Sequence, residues 1–293
     1  MASTEWPLII FTILTQMAVG TYIVLVILRS LLSKKIDPQT AVKLTNFGLL
    51  AVGPIMAISL LISLFHLGSP AIAFYSIANL GSSWLSREIF FSGVFFFLWI
   101  ITYYFNSKNK SGNALNWITA IIGLLAIFSM SSIYSSSIMP AWMAADTFIS
   151  FFGTTFVLGM IASAATIGFS AKGEKLQEAT VSLLQRISLL TLAVIVLQLI
   201  FLPQYLSGLS GGGQAGQTSA QLLSATYSFP MILHWLLTVV GAALVTYVLY
   251  KKGPEKLMTL PASTIYLAFI IVLVGEFVGR YLFYAIAVPI SFG

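Results

Sequence analysis

Residues 44–65 read LTNFGLLAVGPIMAISLLISLF, residues 66–88 read HLGSPAIAFYSIANLGSSWLSRE, and residues 89–105 read IFFSGVFFFLWIITYYF. A polar island thus separates two apolar runs. A helix needs about 20 apolar residues to cross a bilayer, so the flanks predict two spanning helices joined as a hairpin. The island sets an imidazole, His66, and a carboxylate, Glu88, at the edge of the hydrocarbon, where ionisable side chains are costly and usually functional. Both stand out in a chain with two histidines, eight acidic residues and only 8% charged residues.

The apolar pattern recurs on either side of this hairpin. Spans are predicted over residues 8–32, 44–65, 89–105, 117–139, 147–170, 181–202, 229–250 and 261–288. With 58% hydrophobic residues and a mean hydropathy of +0.97, the chain reads as an all-α polytopic membrane bundle of eight helices, one transmembrane domain over residues 1–293. The opening MASTEWP carries no Lys or Arg, unlike the positive start of a cleavable signal peptide, so the first apolar run is expected to be retained. Pro203 is expected to end the sixth span, and SGLSGGGQAGQTSAQ after it to form a flexible loop.

Orientation follows from the cations. Of the 14 Lys and Arg residues, only Arg87 and Arg280 fall on one side of the predicted topology; Arg29, Lys34, Lys35, Lys43, Lys108, Lys110, Lys172, Lys175, Arg186, Lys251, Lys252 and Lys256 share the other. The positive-inside rule then predicts both termini, and the 66–88 loop, outside the cytoplasm. The net charge of +6 is accounted for by topology, and nucleic acid is not expected as a partner. The absence of cysteine excludes disulfides, cysteine-held iron–sulfur clusters and thiolate zinc sites built from this protein alone.

His66 ends the second span, with Gly68 and Pro70 turning the backbone out of helical geometry. Glu88 opens the third span, and the hairpin is expected to return it near His66. A histidine and a glutamate facing one polar pocket can each accept a proton, as oxidation of a quinol requires. Arg87 precedes Glu88, but neighbouring helix positions diverge by about 100°. His234 is expected to be structural or to line a pocket, because a haem needs a histidine pair and two histidines permit one haem at most. Glu276 and Arg280, spaced i to i+4 in GEFVGRYLFY, are expected to form an ion pair that locks helices together and walls the outer pocket. Asp146 is expected to cap the fifth helix, the serines of SMSSIYSSS to bond between helices, Trp6, Trp84 and Trp142 to anchor at the interface, and Gly153, Gly159, Ala164 and Gly168 to permit close helix contacts.

The opening EWPLIIFT, HLGSP followed by Ala73 and Phe74, LSREI at 85–89, and GEFVGRYLFY together resemble the membrane anchor subunits of dimethyl sulfoxide reductase. The resemblance extends from the first residues to the last helix. It implies a bacterial cytoplasmic (inner) membrane subunit that oxidises menaquinol and holds two partners, a molybdopterin catalytic subunit and an iron–sulfur electron-transfer subunit, which carry those cofactors themselves. It ties the loop histidine and the following glutamate, here His66 and Glu88, to the quinol. The candidate quinol-contacting set is His66, Gly68, Ser69, Arg87, Glu88, Glu276 and Arg280. Arg87 departs from the uncharged residue expected before that glutamate. A secondary transporter, with ionisable residues near the midplane, and a purely structural anchor are the alternative readings.

Overall fold

A computed structural model describes residues 5–66, 78–107, 113–143, 145–171, 174–251 and 260–290. The described residues form helices α1 (Trp6–Leu32), α2 (Pro38–Ser63), α3 (Trp84–Ser107), α4 (Asn113–Ser135), α5 (Asp146–Ser170), α6 (Glu178–Gly211), α7 (Gly213–Gln221), α8 (Ser228–Lys251) and α9 (Ala262–Ala285), with no strand among them. All but α7 are long and apolar enough to cross a membrane. A 3-10 turn, Leu64–His66, extends α2 toward the polar island.

The first helix is the centre of the bundle. In its most apolar window 89% of α1 is buried, against 17% in α6, and α2, α4, α5 and α9 all pack on it. A helix buried on every face must satisfy its polar groups internally. Thr15 accordingly shares a 2.7 Å hydrogen bond with Ser59 of α2, Gln16 donates to the Phe151 carbonyl of α5 at 3.1 Å, and the Tyr22 hydroxyl reaches Thr102 of α3 and Asn116 of α4. The small residues of α5 act partly as expected. A Cβ on Gly159 would stand 2.3 Å from the Gly20 carbonyl carbon, so α1 and α5 touch backbone to backbone there, and Gly153 makes room for the Gln198 side chain. Gly168 has only Leu260 nearby, at 3.9 Å.

Two local expectations are corrected. First, α6 does not stop at Pro203. It runs 34 residues, about 51 Å at 1.5 Å per residue, beyond a hydrocarbon core of about 30 Å. The glycine-rich stretch continues as helix: Gly213, at φ +68°, supplies the left-handed turn, and α7 and a π-helical turn (Leu222–Thr226) follow. Its apolar anchors Leu209 and Leu223 are buried with Ala141, Leu282 and Ile286, while Ser210, Thr218 and Ser219 bond to their own helix backbone. Second, Ser129, Ser131 and Ser132 of α4 donate to the carbonyls of Leu125, Ile127 and Phe128, four residues back, instead of bridging helices. Arg29, near the end of α1, is turned inward. It is buried, and its Nε donates to Thr45 Oγ1 at 2.7 Å.

The outer surface is apolar, with Phe97, Ile200 and Phe229 among the most exposed side chains. Alternate spans run antiparallel, so the starts of α1, α3, α5 and α8 and the ends of α2, α4, α6 and α9 gather at one, low-charge end. The exposed Lys43–Glu174 pair, at 2.6 Å, lies at the opposite, basic end.

Candidate functional site at the low-charge end

Glu88 lies in the first turn and a half of α3 and is 6% exposed. Its helix packs mainly on α4 and only lightly on α2, and the Glu88 side chain is enclosed by the bundle. No hydrogen bond from a described residue reaches it. Within its electrostatic reach are Tyr134 of α4 and Tyr284 of α9, whose buried hydroxyls share a 2.5 Å hydrogen bond, with Thr12 of α1 alongside Tyr284. A box of aromatic rings holds this hydroxyl pair: Tyr134 meets Trp142, Phe151 and Phe283 at centroid separations of 5.0 to 5.5 Å. Trp142 itself stacks on Phe283 and donates to its carbonyl at 2.7 Å, so it pins the α4–α5 connection to α9 and is not a free interfacial anchor.

Arg87 points away from Glu88. Its guanidinium lies over Trp84, 4.1 Å from the ring centroid, and donates to the carbonyls of Leu80 and Gly81, closing the turn that leads into α3. His66 is the last residue of the 3-10 turn after α2. Its side chain, with Gly68 and Ser69, lies outside the described residues.

The expected Glu276–Arg280 ion pair is absent from the described residues, where Lys43–Glu174 is the one salt bridge. Both side chains are buried, at 3% and 2% exposure, yet each turns to another helix. Glu276 Oε2 accepts from Thr154 of α5 at 2.7 Å. Arg280 Nη2 donates to Gln16 Oε1 of α1 at 2.9 Å while its guanidinium lies 3.8 Å from the Phe151 ring centroid. The i to i+4 spacing does put both on one face of α9. The neutral hydrogen-bond partners on α1 and α5 then draw them apart, leaving Nε and Nη1 of Arg280 without a partner among the described residues.

That separation borders a cavity of about 140 Å³ between α5, α6, α8 and α9, lined by Glu276, Arg280, His234, Gln198, Thr154 and Asp146 among mainly apolar side chains. Glu88 does not line it. Asp146 is the first residue of α5 and makes no capping bond, the cap position being Ala145. His234 of α8 donates from Nδ1 to the Gly275 carbonyl at 2.8 Å, because a carbonyl can only accept. Its ring abuts Gly279, where a Cβ would come within 2.6 Å of it.

The family description of the DMSO reductase anchor subunit (DmsC) matches residues 1–286. The protein belongs to the DMSO reductase anchor subunit family. The C subunit of the anaerobic dimethyl sulfoxide reductase of Escherichia coli K12 is 27% identical over 293 residues, covering 98% of this sequence and 96% of that relative. The anaerobic dimethyl sulfoxide reductase subunit YnfH of the same organism is 27% identical over 295 residues, with the same coverage. The corresponding C subunit of Haemophilus influenzae is 34% identical over 167 residues, 56% of this sequence and 58% of that relative, so that alignment spans just over half its length.

The protein is therefore a multi-pass membrane anchor of a DMSO reductase complex, one subunit beside catalytic and electron-transfer partners. In this anchor subunit GEFVGR is a packing motif as much as a charge motif. Gly275 and Gly279 seat His234, while Glu276 and Arg280 face α5 and α1. Sequence reasoning missed Gln16, Thr154, Gln198 and the Tyr134–Tyr284 pair. Gln16 had one signal: an amide in the middle of an otherwise apolar span must find a partner. The tyrosines had none, since tyrosine is common near helix ends in membranes.

Proposed function

We propose that the anchor subunit also supplies the complex with electrons, oxidising menaquinol at its low-charge end on the outer face of a bacterial inner membrane. The twelve basic residues at the opposite end support this orientation. The electrons pass to an iron–sulfur partner subunit and on to a molybdopterin catalytic subunit.

The observation that carries the reading is Glu88: a buried carboxylate with no hydrogen-bond donor among the described residues, at the mouth of the hairpin that ends in His66. An acid in that position fits a hydroxyl donor, because a buried acceptor left unsatisfied is costly. Menaquinol, when bound, supplies two electrons and two protons. In this proposal Glu88 takes a proton from one hydroxyl, and His66 is the residue assigned to the second. Arg87 holds the turn that aims Glu88. The tyrosine pair and its aromatic box exclude water from the inner side of the carboxylate. Protons released at this end leave outward without crossing the core.

Glu88→Gln keeps the shape and removes the proton acceptor. Quinol-driven turnover should fall by about 100-fold or more, while assembly, and turnover driven by a dye that reduces the partner directly, persist. Loss of both activities would make Glu88 structural, and loss of neither would remove it from the site. Orientation is tested by reporter fusions after Lys110 and after Gly213, which should give opposite signals; equal signals would overturn it.

A further inference from the structure

The cavity between α5, α6, α8 and α9 is separate from Glu88 and carries its own set of unmet hydrogen-bonding groups. Arg280, 2% exposed, presents two buried N–H positions, Nε and Nη1, that no described residue accepts, and the Nε2 amide of Gln198 is likewise unpartnered. Unsatisfied donors of this kind are costly enough to demand an acceptor. Opposite them stand acceptors. Glu276 binds Thr154 through Oε2 only, leaving Oε1 free of any partner among the described residues. With Nδ1 bonded to the Gly275 carbonyl, Nε2 is the remaining position of the His234 ring that a ligand hydroxyl can meet.

The charge pattern selects the ligand class. A carboxylate or phosphate would meet Arg280 but also Glu276, with Asp146 elsewhere on the wall, and a cation would meet Arg280. A neutral group that donates and accepts at once, a hydroxyl, satisfies both sides: it accepts from Arg280 and donates to Glu276. Size selects the rest. A cavity of about 150 Å³ takes one benzene ring, and this one measures about 140 Å³ with Phe201, Trp235 and Phe283 on its walls. We propose that this cavity is a second ligand site of the anchor subunit, built to seat a hydroxylated aromatic ring, a phenol or hydroquinone head, between Arg280 and Glu276. It is a binding seat and stands independently of proton transfer at Glu88.

The test is photolabelling of the intact complex in lipid nanodiscs with a diazirine-bearing phenol, mapping labelled segments by mass spectrometry. Label is expected in α8 and α9, reduced at least tenfold by excess p-cresol and little by toluene, which lacks the hydroxyl. Arg280→Gln should abolish it. Leu202→Trp, which fills the cavity from a half-buried position on α6, should do the same at an unchanged yield of assembled complex, so that misfolding of the arginine variant cannot decide the result. A reduced short-chain quinol with a single-ring head that competes as well as p-cresol assigns the site to the membrane quinol pool. Competition by simple phenols alone assigns it to a soluble phenol, and either outcome supports the site. The proposal is overturned if α8 and α9 take no label, as in a merely water-filled cavity, if toluene competes equally, or if Leu202→Trp leaves labelling intact. Glu88→Gln should leave this label unchanged even where it stops quinol-driven turnover; loss of the label in that variant would show that the cavity is not an independent site.

Discussion

Glu88 and Glu276 are both acids at the same end of the bundle and almost equally buried, at 6% and 3% exposure, yet their surroundings are opposite. Glu276 has a hydroxyl donor from Thr154 and a guanidinium on its own helix face. Glu88 has two tyrosine rings nearby and no donor among the described residues. Burial alone therefore does not mark a reacting carboxylate. What separates the two is whether the fold supplies a donor at all. Glu276 has one oxygen committed to Thr154, whereas both oxygens of Glu88 are left for a ligand to bond.

Exchanging the two acids tests this contrast most sharply. Against the steep loss expected for Glu88→Gln, Glu276→Gln should lower quinol-driven turnover by no more than a few-fold, measured in the same membranes with the dye assay as control. Equal losses would erase the distinction. Stability should reverse the order. Arg280→Gln leaves Glu276 as a buried charge without its neighbouring cation, and should cost about 3 kcal/mol, seen as a lower midpoint of thermal unfolding in detergent. The double variant Arg280→Gln with Glu276→Gln should recover part of that loss. A double variant no more stable than the single would mean that the two charges do not interact.

A smaller effect is expected where the cavity wall is held by packing. Gly279→Ala drives a methyl group into the His234 ring and should cost about 1–3 kcal/mol, with His234→Ala restoring part of it. Smallest is the exposed pair at the basic end. Lys43→Ala should change the unfolding midpoint by an amount equivalent to less than about 1 kcal/mol, and added salt should shrink it further.

Sequence by itself determined the number of membrane-crossing helices, because the bilayer imposes a length and polarity rule that each segment obeys alone. It also singled out Glu88, Glu276 and Arg280, since charge in hydrocarbon is rare enough to be conspicuous in a linear string. Only the tertiary structure decided what these residues do with one another. The i to i+4 spacing of Glu276 and Arg280 was compatible with an ion pair, but Gln16 and Thr154, respectively 264 and 122 residues distant, supply bonds that hold the charges apart. That α1 lies at the centre was likewise invisible, because an apolar helix reads the same whether lipid or protein surrounds it. The stretch after Pro203 was misread for a related reason: glycine disfavours helix by about 1 kcal/mol per position relative to alanine, and what offsets it is the burial of Leu209 and Leu223, a tertiary contact that local composition cannot express.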